Sequence, residues 1–354
     1  MTNLFSPLKI KDITLKNRLT ISPMCQYSSV DGFANNWHLV HYGSRAVGGA
    51  GLIIQEATAV TPEGRITPGD LGIYSDEHIE KLRQITRFIE AHGAIPGIQI
   101  AHAGRKGSCS RPWEGGTQLG LNEGGWDTIA PSALTFNTED RVPQVLDKKG
   151  IVDIMDCFAK AAHRAIEAGY KVLEIHSAHG YLIHEFLSPL SNHRKDEYGG
   201  SFENRIRLLL GVVKSVQSVW PDKLPLFVRI SATDWADGGW DVNEAVKLAP
   251  ILKNEGVDLI DCSSGGMVPW AKIPFGPGYQ VPFSDRIKNE TGILTGAVGM
   301  ITEARQAEEI LAKNQADLIL IGRESLRNPY FPLYAAKELN FDAEWPLPYL
   351  RAKV

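Results

Sequence analysis

The chain has 354 residues, 43% of them hydrophobic and 22% charged, which is ordinary globular composition, and its net charge of −4 gives no reason to expect nucleic acid or an anionic membrane as partner. No stretch approaches the apolar length of a membrane span, and the polar start Met1-Thr2-Asn3 lacks the charged-then-apolar layout of a signal peptide. Four scattered cysteines, Cys25, Cys109, Cys157 and Cys262, form no CxxC pair; they argue against an iron–sulfur cluster or zinc ribbon and fit thiols kept reduced in the cytoplasm.

Leu4 to Asn17 reads as a short hairpin turning at Lys11-Asp12, a lid (residues 1–17) ahead of the first buried strand. That strand, Arg18 to Ser22, stops at Pro23 and runs into Met24-Cys25-Gln26-Tyr27. A helical pattern from about Trp37 to Val47 closes at Gly48-Gly49, and the second strand is Gly51 to Gln55. Apolar spacing at Ile79, Leu82, Ile85 and Ile89 predicts a helix over Asp76 to Ala91, followed by a strand from Ile95 to Ile100. The longest irregular stretch, 104–146, is dense in Gly, Pro, Trp and Asn, and a loop of that length in a compact fold is more often functional than accidental.

A helix from Ile151 to Ala168 then leads to the apolar, β-branched-rich strand Tyr170 to Ile175. A second loop, Ser188 to Gly200, precedes a helix from about Phe202 to Val219 and a fifth strand, Leu226 to Ile230. Helix 242–255, strand Val257 to Cys262, a Gly/Pro-rich loop over 264–282, strand 293–295, helix 302–313 and strand Leu318 to Ile321 complete the count. Eight strands buried on both faces and alternating with helices predict an α/β fold: one (β/α)8 barrel domain over 1–354 with an N-terminal hairpin lid. A doubly wound sheet would want a glycine-rich fingerprint after its first strand, and Ser22-Pro23-Met24-Cys25 is nothing like one.

Barrels keep their working groups at the C-terminal ends of strands. Just past the expected end at Ile175 stand His176, His179 and Tyr181: donors able to grip a carbonyl-like oxygen and a phenol able to protonate a carbon beside it. Taken alone, such a histidine pair is more often structural than catalytic, as core residues or as two zinc ligands. No third ligand is evident, since Glu174 is expected on the other side of its strand, while His184 and Glu185 in the next segment stay open. Other strand ends offer Met24, Cys25 and Tyr27, Glu56 and Ala57, Gln99 with His102, Arg229, and Ser263-Ser264-Gly265-Gly266. Gly296 with Gly299, and Gly322 with Arg323, follow the last two strands, where barrels commonly bind phosphate through backbone N–H groups. A buried cation such as Arg229 opposite an amide such as Gln99 suits a flat heterocycle that gains negative charge on reduction, which suggests FMN.

Over essentially its whole length the chain resembles the Old Yellow Enzyme family of flavoprotein reductases, in particular its thermophilic-like branch. The motifs that carry the likeness are Ser22-Pro23-Met24-Cys25 with Tyr27, His102-Ala103-Gly104-Arg105-Lys106, the run Glu174 to Leu182, the run His184 to Arg194, Tyr198 to Ser201 with Glu203-Asn204-Arg205, and Ile321 to Glu324. The resemblance implies noncovalent FMN, with Ser22, Pro23, Met24, Cys25, Ala57, Gln99 and Arg229 at the flavin ring and Gly296, Gly322 and Arg323 at the phosphate. It also implies His176 and His179 on the ligand oxygen, Tyr181 as proton donor, and Cys25 touching the ligand and tuning the flavin. Tyr27 and Lys106 fall on the substrate side. Pro348-Tyr349-Leu350-Arg351, in the tail 340–354, is similar to a tail whose arginine enters a neighbouring subunit's pocket, so a homodimer or homotetramer is expected.

The implied reaction is ping-pong: NADPH or NADH reduces the flavin, then the activated C=C of an α,β-unsaturated carbonyl, or a nitro or other xenobiotic compound, is reduced in the same pocket. Rival readings are a flavin-binding redox sensor acting through Cys25, an FMN barrel of the dihydroorotate or tRNA-dihydrouridine type, and a zinc-dependent barrel lyase at His176 and His179. No metal is expected. The 107–127 segment is longer than in the shortest family members, and no role is assigned to it.

Overall fold

The computed structural model describes residues 3–353, so Met1, Thr2 and Val354, the extremes of the expected lid and tail, lie outside the described residues. In chain order the strands are β1 (Leu8–Ile10), β2 (Ile13–Leu15), β3 (Leu19–Ile21), β4 (Leu52–Ala59), β5 (Ile95–Ala101), β6 (Ile129–Ala130), β7 (Gln144–Val145), β8 (Val172–Ser177), β9 (Leu226–Ser231), β10 (Leu259–Ser263), β11 (Leu294–Ala297) and β12 (Leu318–Ile321). The α-helices are α1 (Asn36–Val47), α2 (Ile79–Ala91), α3 (Lys148–Glu167), α4 (Leu182–Leu187), α5 (Phe202–Arg205), α6 (Arg207–Gln217), α7 (Val242–Asn254), α8 (Val281–Thr291), α9 (Ala304–Ala312), α10 (Arg323–Arg327) and α11 (Phe331–Glu338).

Eight parallel strands, β3-β4-β5-β8-β9-β10-β11-β12, close on themselves into the expected barrel. Each is buried along its length, except for half-buried first residues in β5 and β11, because helices cover the outside and side chains fill the inside. β1 and β2 pair as the antiparallel hairpin. Its Ile10 and Leu15 pack in one cluster with Leu52, Val172, Leu259 and Leu318, the first residues of four barrel strands. The hairpin therefore plugs the N-terminal end of the barrel and leaves the C-terminal end open for loops.

Several segments differ from the sequence reading. Within the stretch read as loop over 264–282, a helix, α8, begins at Val281; Pro282 sits in its first turn, where the missing N–H costs nothing. The helix expected over 202–219 is two, α5 and α6, meeting at Ile206. Two further helices, α10 and α11, follow the last strand without having been anticipated. The long segment 104–146 also carries a short parallel pair, β6 with β7.

Candidate active site

β8 does not end at Ile175. Its ladder to β9 continues through His176–Arg229 and Ser177–Ile230, so His176 is a strand residue in register with Arg229 rather than a residue past the strand end. Residues two apart on a strand share a face. Glu174, expected on the opposite side from His176, consequently points the same way, into the barrel, where Gln99 Nε2 donates to its Oε1 at 2.8 Å. The Arg229 guanidinium lies above this layer, with Nε 3.0 Å from Asp261 Oδ2 but out of line for a hydrogen bond, and Nη2 donating to Ser22 Oγ at 3.2 Å.

His176 Nδ1 accepts the Ala178 N–H at 3.2 Å, which fixes the tautomer and leaves Nε2–H as a donor. Burial, reinforced by Arg229, holds both His176 and His179 well below the ordinary histidine value, so both rings are neutral. The rings meet edge-to-face with centroids 5.1 Å apart, and the Tyr181 ring meets His176 in the same manner at 5.1 Å. Burial, with Cys25 and Asp70 adding to it, pushes the Tyr181 phenol well above its usual range, so it keeps its proton.

The turn that sets these groups is strained and braced. His179 has φ 59°, a left-handed conformation that few non-glycine residues adopt. Its N–H donates to Ser231 Oγ at 2.9 Å, its carbonyl accepts from Lys106 Nζ at 2.8 Å, and its Nε2 lies 2.7 Å from Ser263 Oγ. A Cβ on Gly180 would sit 2.1 Å from the Gly266 carbonyl oxygen, so the loops after β8 and β10 touch through bare backbone. His184, weighed as a metal ligand, instead accepts the Gly180 N–H at 2.9 Å through Nδ1 and lies 3.0 Å from Asp234 through Nε2. Among the described residues no three His, Cys, Asp or Glu side chains converge as a metal site requires.

The loop after β3 faces this turn. Gln26 donates its N–H to Glu56 Oε2 at 2.6 Å, and Tyr42 of α1 donates its hydroxyl to Glu56 Oε1 at 2.8 Å. Glu56 and Ala57 occupy the irregularity in β4 where its pairing with β5 shifts, the kind of bulge that re-aims backbone beside a site. Cys25 is half-buried; burial first, then Asp70 and Glu56, push its thiol well above the usual value. A thiolate switch needs the opposite. Tyr27 is a second non-glycine residue with positive φ, 51°. Its carbonyl accepts from Arg111 Nε at 2.9 Å and its ring meets Trp113 edge-on at 6.1 Å. The 107–127 segment thus supplies the outer support of Tyr27.

Lys106 also bonds the Gly266 carbonyl at 3.0 Å and stands 5.2 Å over the Tyr181 ring; burial, then Arg105, lowers it to about 8. Gly322 caps α10 beside Met24, whose sulfur would be 3.8 Å from a Cβ there, and Arg323 follows it at the surface. Gly296 lies within β11, where a Cβ would meet Leu320 Cδ1 at 2.4 Å, so the Leu320 side chain would have to move to admit one. Pro23 is buried under the β3 loop. Arg351 is exposed, in a tail whose residues 341–349 line a cavity with Lys16, Gly49 and Gly93, residues just ahead of barrel strands. The tail thus sits toward the barrel's N-terminal end, and within this chain Arg351 does not join the mouth that gathers His176, His179, Tyr181, Gln99, Arg229, Ser22 and the Cys25–Tyr27 loop. The sequence reading gave no role to Asp234, Ser231, Arg111 or Asp261, whose partners are 32 to 84 residues away in sequence and leave no local pattern.

Comparison with known proteins agrees with this architecture. Residues 3–342 match the model of the NADH:flavin oxidoreductase / NADH oxidase family. A relative named NADPH dehydrogenase from Bacillus cytotoxicus (strain DSM 22905 / CIP 110041 / 391-98 / NVH 391-98) is 52% identical over 353 residues, covering 99% of this chain and 97% of the relative. The old yellow enzyme homologue from Zymomonas mobilis superposes with a TM-score of 0.81 at 29% identity, covering 96% of this chain and 94% of that one. A 2-naphthoyl-CoA reductase, solved with 2-naphthoyl-CoA, superposes with a TM-score of 0.86 at 25% identity over 95% of this chain; the chain spans about half of it, 52%.

Proposed function

The chain belongs to the NADH:flavin oxidoreductase / NADH oxidase family, the Old Yellow Enzyme group of flavin oxidoreductases, and from that premise we propose that it uses FMN and NAD(P)H to reduce the activated C=C bond of α,β-unsaturated carbonyl compounds. The observation that carries the reading is the pairing, at one barrel mouth, of a neutral His176 with its Nε2–H free to donate and a Tyr181 phenol that keeps its proton.

The residues fit a flavin. Arg229 is buried with hydrogen-bonding capacity left over, the Gln99 amide is oriented by Glu174, and Gly322 has only the Met24 sulfur within 4 Å of where a Cβ would stand. Ser22, Pro23, Met24, Cys25, Ala57, Gln99 and Arg229 would hold the ring, and Gly322 and Arg323, with the strand carrying Gly296, the phosphate. Bound there, FMN supplies the hydride chemistry between reductant and alkene.

The remaining work belongs to side chains. His176 and His179 donate to the substrate oxygen, and they favour the enolate that develops over the ground-state carbonyl because they are fixed before the charge appears. Tyr181 delivers its proton to the α-carbon. Arg229, beneath, stabilises negative charge on a reduced ring. Tyr27 and Lys106 shape the substrate side, and Cys25, with its proton held, is a contact rather than a switch. Arg351 is assigned to the mouth of another copy in a homo-oligomer, since its own tail sits toward the far end of the barrel. Four unpaired cysteines support a cytoplasmic setting.

The test is an anaerobic titration of the purified protein with NADPH, followed by cyclohexenone. A yellow protein that bleaches and then recovers its colour supports the proposal. Bleaching without recovery removes the substrate class, and a colourless protein that FMN cannot reconstitute removes the flavin. Tyr181→Phe should slow recovery about 10²–10⁴-fold, the range of a general acid, with little change in FMN binding or bleaching.

A further inference from the structure

Beneath the mouth lies a pair of carboxyls that the reaction does not use. Glu174 and Asp261 are both fully buried, on the two strands that flank β9 and its Arg229, and each carboxyl shifts the other's acidity. Among the described residues, Glu174 Oε1 accepts from Gln99, while Glu174 Oε2, Asp261 Oδ1 and Asp261 Oδ2 have no hydrogen-bond donor. The titratable groups facing the pair are Arg229, 3.0 Å from Asp261, and, two residues along β8, the neutral His176. Two ionised carboxylates in contact, with one guanidinium between them and water, would be a costly arrangement. One proton between them removes the repulsion, supplies the missing donor, and leaves a single negative charge to match Arg229.

We propose that Glu174 and Asp261 share one proton, carried on Glu174 Oε2, and that Glu174, through Oε1, is the positioning residue for Gln99. With Oε2 donating to Asp261, Oε1 is a pure acceptor. It can take only the Gln99 N–H, so the Gln99 carbonyl oxygen is turned toward the mouth. Burial and then the charge of Asp261 raise the Glu174 carboxyl, and Arg229 keeps Asp261 the more acidic of the two against burial. The proton then sets the net charge under the cation, while Glu174 Oε1, an acceptor in either state, sets which end of the amide meets a ligand.

This rests on the flavin reading for Gln99, so the experiment has one arm that needs flavin and one that does not. Infrared spectra of wild type and Glu174→Gln, in H2O and D2O at neutral pH, should differ by a protonated-carboxyl band present only in the wild type. The difference is needed because Glu56 and Glu185 are also raised by burial. FMN affinity should fall about tenfold in Glu174→Ala, the loss of about one hydrogen bond's worth of orientation, and should be restored to within about threefold in Glu174→Gln, which keeps both contacts without a charge. Gln99→Ala should match Glu174→Ala and add nothing to it in the double variant, while keeping the infrared band. No difference band, or Glu174→Gln as weak as Glu174→Ala, overturns the shared proton. A protein that binds no flavin overturns the functional reading, and the infrared band still decides the pair; if Glu174→Gln does not fold, the same infrared difference taken between wild type and Glu174→Ala decides it.

Discussion

Tyr181 keeps its proton, His176 and His179 stay neutral, and Glu56 is protonated at neutral pH, all because burial disfavours whichever form carries charge. For Glu56 this has a readable consequence. Burial lifts it from 4.5 to about 8 although the Gln26 and Tyr42 hydrogen bonds oppose the rise. The folded value exceeds the unfolded one, so its contribution is intact below about pH 4.5 and is lost as pH rises through about 8. Glu56→Gln, which cannot ionise, should therefore gain stability relative to wild type across that window, by a few kcal/mol at most at about 1.4 kcal/mol per unit. Denaturant unfolding of both proteins at a series of pH values checks it; a pH-independent difference refutes it. The same carboxyl anchors Gln26, so the variant also reports on the Cys25–Tyr27 loop.

At the scale of elements, the loops after β8 and β10 make one unit. Gly180 and Gly266 abut backbone to backbone, and a Cβ on Gly266 would lie 2.5 Å from the His179 carbonyl oxygen. Gly180→Ala should cost about 2 kcal/mol or more, since the methyl group meets backbone and the φ of 75° is strained for alanine. It should also slow flavin reoxidation by enone more than bleaching by NADPH, because His179 is displaced and Arg229 is not; stopped-flow absorbance separates the two half-reactions, and an equal effect on both would count against the displacement. Arg111→Ala removes the support of the Tyr27 carbonyl and should raise KM for enone with flavin binding intact. The strand β8 itself was legible from its apolar run, but its end was not. Whether His176 belongs to the strand is decided by the partner strand β9, whose Arg229 lies 53 residues further along the chain. α8 was hidden because a proline in its first turn reads as a breaker although that position tolerates it.

For the whole molecule, the barrel is plugged at one end by the hairpin and open at the other. Leu15 is 1% exposed and packs among first residues of barrel strands, so Leu15→Ala should cost about 2–5 kcal/mol, measured by chemical denaturation, with the mouth's chemistry largely unchanged in the protein that remains folded. The sequence by itself determined the barrel, because alternating runs buried on both faces are a property of local composition, and it determined which residue types gather at strand ends. Tertiary structure alone decided the rest: Gln99 on Glu174, Asp261 beside Arg229, Asp234 on His184, Arg111 on Tyr27. Those pairs join strands and loops far apart in the chain, and contact across a closed barrel depends on register and closure, which no run of neighbouring residues records.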